Sequence, residues 1–178
     1  MRDQKGFTFI ELSIVLIIIG LLVQASIKGK EMIDASKSNN FVKDIQAIQI
    51  AYYNFHTNRG LFPGDSNGDR LIDYDAVGTD DGVFFKELYE AKLINSENAE
   101  VPLDNAGFYF VNFLSKGELP SLTNGVIPGK PQVCATEVED KYARYLDNKV
   151  DEGIFNKGIV RSLSPYGTVE RHTVCYQL

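Results

Sequence analysis

Residues 5–12 read Lys5-Gly6-Phe7-Thr8-Phe9-Ile10-Glu11-Leu12, and almost unbroken apolar side chains follow as far as Ile27. A helix that crosses a membrane needs about 20 apolar residues, and the segment 7–27 is long enough to supply them. One carboxylate, Glu11, interrupts the apolar run. A charge inside a membrane span costs roughly 2.5–3.5 kcal/mol on insertion scales, so Glu11 is expected to have a partner or a function.

Two simpler interpretations of this segment explain less of it. An ordinary secretory signal has an apolar core of about 7–15 residues and a cleavage site of small residues. Cleavage after Ala25 would release a soluble secreted protein, but the apolar run 7–23 is longer than such a core. A plain single-pass anchor accounts for the length of the run, but neither for Glu11 nor for the Lys5-Gly6 pair before it.

The apolar pattern continues beyond Ile27 in a different form. A stripe of apolar residues follows +4, +3, +4, +3 spacing, which places them on one helix face: Phe41, Ile45, Ile48, Tyr52 and Phe55. The sequence therefore predicts one helix over about 7–55, roughly 73 Å long at 1.5 Å per residue. Its first part, 7–27, is expected in a membrane, and its amphipathic part, 28–55, against a globular domain formed by 56–178.

The remainder of the chain predicts short helices and strands separated by Gly and Pro turns. Salt bridges between Glu137 and Lys141 and between Asp140 and Arg144 support the second of two predicted helices. The predicted helices are 83–93 and 137–148, and the predicted strands are 108–114, 133–136, 157–163 and 168–177. The fold class is α+β, with a long N-terminal α-helix packed against a C-terminal antiparallel β-sheet head.

The N-terminal residues resemble the prepilin signature of type IV pilin-like proteins. In that family a peptidase cuts between the residues that correspond to Gly6 and Phe7, and the new amine of Phe7 is methylated. The resemblance makes residues 1–6 a leader peptide and assigns Glu11 to assembly, through pairing with the Phe7 amine of a neighbouring subunit. The segment 146–153, Leu-Asp-Asn-Lys-Val-Asp-Glu-Gly, also resembles a segment of some large pilin-like proteins.

The resemblance also implies partners and a location. The partners are the prepilin peptidase, other pilins in a homo- or heteropolymer, and an assembly platform with its ATPase. The protein would be held in a bacterial inner membrane by a single span, with its head outside the cytoplasm. It would then enter an extracellular pilus or a periplasmic pseudopilus.

The two cysteines, Cys134 and Cys175, are expected to form one disulfide in an oxidising compartment, and pilins that resemble this chain often have such a pair. The alternative is two separate buried thiols. Two cysteines with one histidine near them in the sequence, His172, are too few ligands for a typical metal site, which disfavours one there.

A second motif, in the segment 65–73, indicates calcium. Oxygen side chains at alternate positions resemble the calcium loop of an EF-hand or dockerin: Asp65, Asn67, Asp69 and Asp73. Arg70 stands where that loop expects Gly, and Ala76 stands where it expects an acid. The alternative is a surface turn rich in Asp and Asn. No cofactor is required by the sequence, and calcium is the one candidate.

Other function classes find little support. The formal charge of −6 gives no footprint for nucleic-acid binding. His56 and His172 are isolated in the sequence, and no catalytic motif surrounds them. The predicted function is a structural subunit of a type IV pilus serving adhesion, motility or DNA uptake. The alternatives are a pseudopilin of a type II secretion system and, from another class, a membrane-anchored calcium-binding or adhesive domain that does not polymerise.

Overall fold

A computed structural model describes residues 8–65, 72, 83–97, 99–112 and 130–178. The elements follow the order α1 (Phe9–Arg59), α2 (Val83–Glu90), β1 (Tyr109–Asn112), β2 (Gln132–Glu139), α3 (Asp140–Val150), β3 (Val160–Ser162) and β4 (Arg171–Gln177). The chain divides into two compact units, Met1–Lys37 and Ser38–Leu178, so the division falls within α1. We call the second unit the head.

Helix α1 is 51 residues long and ends one turn later than the sequence predicts. No proline occurs before Pro63 to interrupt it. Gly60 terminates the helix with a positive φ of 73°, a conformation that favours glycine, and its N–H donates to the His56 carbonyl at 2.8 Å. Within the head, the predicted apolar stripe of α1 is buried in full, which confirms the amphipathic prediction.

Within the described residues of the head, four strands form an antiparallel sheet in the order β1-β2-β4-β3. One face of its central strands packs into a core that also holds the buried residues of α1, α2 and α3. The structure thus confirms the α+β class, with α1 packed against an antiparallel sheet.

The predicted boundary between β2 and α3 is wrong. Strand β2 continues to Glu139, so Glu137 lies in a strand rather than in the helix. A β-bulge between Ala135 and Val138 puts one extra residue in β2 and gives Glu137 a φ of 54°. Of the two expected helical salt bridges, only Arg144–Asp140 is present, at 3.0 Å, whereas Lys141 contacts Glu139.

The other predicted elements occur within shorter bounds. Helix α2 ends at Glu90, so Ala91 lies in the turn that follows it. The predicted first strand, 108–114, is described as β1 up to Asn112, and its last two residues lie outside the described residues. The last two predicted strands are present as the shorter strands β3 and β4. They are shorter because the residues between them form a turn, in which the Thr168 N–H donates to the Pro165 carbonyl at 3.2 Å.

Candidate functional site

The start of α1 contains a capping box formed by Thr8 and Glu11. The Glu11 carboxylate accepts hydrogen bonds from the backbone N–H and the hydroxyl of Thr8, both at 2.8 Å. In return, the Glu11 N–H donates to the Thr8 hydroxyl oxygen at 3.3 Å. Such a reciprocal pair satisfies backbone donors that the first turn of a helix otherwise leaves without partners. Glu11 therefore has hydrogen-bond partners within its own chain before any neighbour supplies one.

The next five turns of α1 expose a continuous apolar surface. The exposed large apolar side chains are Phe9, Ile10, Leu12, Ile14, Val15, Leu16, Ile17, Ile18, Ile19, Leu21, Leu22, Val23 and Ile27. Among the described helices, only α1 is long and apolar enough to cross a membrane. The hydroxyls of Ser13 and Ser26 donate to the carbonyls of Ile10 and Leu22, so these polar groups are satisfied within the helix itself.

The residues that the sequence assigns to processing lie at the edge of the described region. Gly6 and Phe7 are outside the described residues, whereas Glu11 lies in the first turn of α1 and is exposed. Cleavage after Gly6 and methylation of Phe7 thus rest on the sequence motif.

The two cysteines lie directly opposite each other on the central strands β2 and β4. Cys134 and Cys175 are register partners, and a disulfide joins them. Both residues are buried. The predicted pairing is therefore confirmed, and the alternative of two separate thiols is wrong.

Two aspartates stabilise the loop between α3 and β3 by accepting hydrogen bonds. The buried Asp147 carboxylate accepts from the Gly153 N–H at 3.1 Å and from the Tyr166 hydroxyl at 2.7 Å. Burial raises the pKa of Asp147, while these two hydrogen bonds oppose the rise. Asp151 accepts from the backbone N–H groups of the first residue of β3 and the residue before it. The segment that resembles one in other pilin-like proteins thus serves here to shape a loop of the head.

Ser162, His172 and Asp140 form a hydrogen-bonded chain like that of a serine hydrolase. The Ser162 Oγ to His172 Nδ1 distance and the His172 Nε2 to Asp140 Oδ1 distance are both 2.9 Å. However, Ser162 is fully buried and His172 is 3% exposed, so no substrate can reach the hydroxyl. The chain instead ties β3 to β4 and to the start of α3, which is a structural role.

Asp140 is held in its charged form by this arrangement. Its partial burial favours a higher pKa, but the Gly167 N–H, His172 and Arg144 outweigh burial and lower the pKa of Asp140. The other histidine, His56, lies in the last turn of α1, where its ring stacks on Phe62 with centroids 4.0 Å apart. Neither histidine is placed to act as a catalytic base.

The predicted calcium ligands are described only in part. Asp65 is buried at 3% exposure, whereas Asn67, Asp69 and Asp73 lie outside the described residues. Within the described part of the chain, no group of three or more His, Cys, Asp or Glu side chains is arranged to hold a metal. Calcium binding stays a prediction from the sequence.

Comparison with known proteins agrees with the N-terminal geometry. Residues 1–23 match the family described as the prokaryotic N-terminal methylation motif. No curated protein and no solved structure matches the chain. The motif places the chain among the type IV pilin-like prepilins, without distinguishing a pilin from a pseudopilin. Type IV pilin-like proteins are structural rather than enzymatic.

The comparison also supports a coarse description of partners and location. The motif implies processing by a prepilin peptidase and assembly with other pilins. Together with the apolar helix, it suggests a prepilin anchored in the inner membrane.

Sequence reasoning missed the role of Thr8. The signal was present, because Thr8-Phe9-Ile10-Glu11 has the Ser/Thr-x-x-Glu spacing of a capping box. Phe108, just before β1, is 58% exposed, and its ring lies 6.4 Å from that of Phe110 between centroids. Phe110, two residues later, is half-buried.

Proposed function

We propose that this protein is a structural subunit of a type IV pilus, cleaved after Gly6, methylated on Phe7 and polymerised through its N-terminal helix. The observation that carries the proposal is the combination of the methylation motif with a single carboxylate, Glu11, on an otherwise apolar and exposed helix segment. An apolar surface of this extent needs a membrane or other apolar helices to cover it. A filament core made of such helices covers it after the subunit leaves the membrane.

The proposed assembly contact pairs Glu11 with the Phe7 ammonium of a neighbouring subunit. A carboxylate in apolar surroundings is costly unless an opposite charge neutralises it. In the unassembled chain the Thr8 N–H and hydroxyl are the partners of Glu11. Assembly would add a charged donor, and a pair in which both groups are charged is stronger than these hydrogen bonds from uncharged donors. The ion pair would fix the axial register, and the apolar side chains would supply most of the packing area.

The first test is mass spectrometry of the N-terminal peptide from the native organism. A chain that begins with N-methylated Phe7 is the expected result. A chain that begins at Met1 or at Ser26 would refute the proposal and leave an anchored or a secreted domain.

The second test replaces Glu11 and compares a matched control. Glu11→Val is expected to leave the chain inserted in the membrane but to abolish filaments, because the neighbour's ammonium loses its partner. Glu31→Val is the control, since Glu31 lies on the same helix beyond the apolar segment and pairs with Lys28 at 2.8 Å. Filaments recovered by shearing and counted by electron microscopy are the readout. Normal filaments from Glu11→Val would instead support an anchor that does not polymerise.

A pseudopilin of a type II secretion system is the alternative within the same class. Two features support the pilus: the size of the head, about 140 residues in the compact unit, and its disulfide between Cys134 and Cys175. The predicted loop 65–73 favours the alternative, because some pseudopilins bind calcium in their heads. Deletion of the gene separates the two. Loss of sheared surface filaments with normal protein export supports the pilus, and an export defect with normal filaments supports the pseudopilus.

A further inference from the structure

A cavity of about 230 Å³ opens into the head between α1, α2 and β1. Successive turns of α1 supply Asp44, Ala47 and Ile48 to one wall, and Phe85 of α2 and Tyr109 of β1 supply others. The remaining lining comes from residues that follow α2, among them Leu93 and Glu100. Ordinary ligand pockets measure roughly 300–1,000 Å³, so this cavity suits a group about as large as one amino-acid side chain.

The Tyr109 hydroxyl in this cavity is a buried polar group, and its interaction with the Asp44 carboxylate falls short of a well-formed hydrogen bond. Tyr109 is 4% exposed, and its hydroxyl has no well-formed hydrogen bond to any described residue. The Asp44 carboxylate is near enough to influence it: burial and Asp44 both raise the pKa of Tyr109, so the phenol stays protonated. A buried hydroxyl whose hydrogen bonding is incomplete favours a ligand that supplies a further partner at this position.

The charge of the lining selects the kind of ligand. Its described residues include two carboxylates, Asp44 and Glu100, and no lysine or arginine. Asp44 is half-buried, and this burial raises the pKa of its carboxyl, so a bound cation would stabilise its charged form more than it would that of a surface carboxylate. Next to these polar groups the walls are apolar, formed by Ala47, Ile48 and Phe85 among others. The cavity thus offers an anionic end and an apolar wall.

We propose that this cavity binds an organic cation, an amine or guanidine on a short aliphatic stem, with the cationic group between the Asp44 carboxylate and the Tyr109 hydroxyl. A guanidinium or ammonium donates to both oxygens, and the stem lies against the apolar wall. The same chemistry comes from two sources, a free small amine or the arginine or lysine side chain of another protein. The site does not include the exposed apolar part of α1, residues 9–27, and it does not depend on the assembly proposed above.

The test measures binding to the full chain in detergent micelles by tyrosine-selective ¹³C NMR. The probes are n-butylguanidinium, its uncharged analogue n-butylurea, and N-acetylarginine N-methylamide, which represents a protein side chain. The guanidinium is expected to bind at least about tenfold more tightly than the urea, because hydrogen bonds between charged groups are stronger than those to an uncharged donor. Tighter binding of the arginine derivative would indicate a protein partner. Tighter binding of n-butylguanidinium would indicate a free small organic cation.

Three variants locate the binding. Asp44→Asn keeps the shape of the cavity and is expected to remove the preference for the cation. Tyr109→Phe removes only the hydroxyl, so the fold should persist while affinity falls about threefold or more. Glu170→Gln removes an exposed carboxylate that does not line the cavity and should leave affinity unchanged. Equal binding of guanidinium and urea, absence of saturable binding, or unchanged affinity of Asp44→Asn would each overturn the proposal.

Discussion

Removal of the Cys134–Cys175 disulfide is expected to destabilise the head by about 4 kcal/mol. The two cysteines are 41 residues apart, and in the chain-entropy treatment a crosslink that closes a loop of this length contributes about 4 kcal/mol at 25 °C. The head has about 140 residues and an unfolding entropy of about 2.1 cal/mol/K per residue, so its melting temperature should fall by about 10–15 °C.

Urea unfolding of the full chain in detergent measures this loss. The chain contains no tryptophan, so near-UV circular dichroism of its tyrosines is a suitable signal. The wild type is compared with the double variant Cys134→Ala/Cys175→Ala, each with and without reductant. Reductant should destabilise only the wild type, which separates the covalent bond from lost packing. A loss below about 1 kcal/mol on reduction would refute the loop-closure reasoning.

Three further changes test the head. In thermal unfolding, Gly158→Ala should destabilise the head by more than Gly60→Ala does. Both glycines have φ near +70°, a conformation that costs an alanine about 1–2 kcal/mol. Only at Gly158 would the added Cβ also clash with the Asp151 carboxylate. Asp147→Ala should cost about 1–3 kcal/mol in urea unfolding, because it leaves two half-buried donors without their acceptor. If the loop 65–73 binds calcium, titration with Ca²⁺ should raise the melting temperature of the wild type but not of Asp65→Asn, and an unchanged wild type would refute the site.

The parts of the fold that sequence reasoning predicted well depend on local pattern. The helix α1 follows from apolar spacing and the absence of proline, and its buried stripe, from Phe41 to Phe55, follows from the 3.6-residue period alone. The disulfide followed from the count of two cysteines and an oxidising compartment. Each of these signals lies in the chain itself and needs no knowledge of distant contacts.

The parts that were missed depend on pairing between distant residues. Nothing local marks the bulge that keeps Glu137 in β2, because it arises from the register of β2 against β4. The acceptor role of Asp147 toward Tyr166 likewise joins residues 19 positions apart. For the candidate site, the sequence motif named Gly6, Phe7 and Glu11. The capping box of Thr8 and Glu11 is a local pattern that was overlooked, although its spacing is present in the sequence.

The position of the disulfide has a mechanical consequence. Helix α3, strand β3 and the loop held by Asp147 all lie between Cys134 and Cys175 in the chain. A pulling force that enters through α1 and leaves through the last strand passes across the crosslink, so these elements bear no tension. The disulfide closes a loop of 41 residues. At about 3.3–3.6 Å per residue, it prevents about 140 Å of chain from being extended. A head under load can therefore lengthen only through the residues outside this covalent loop.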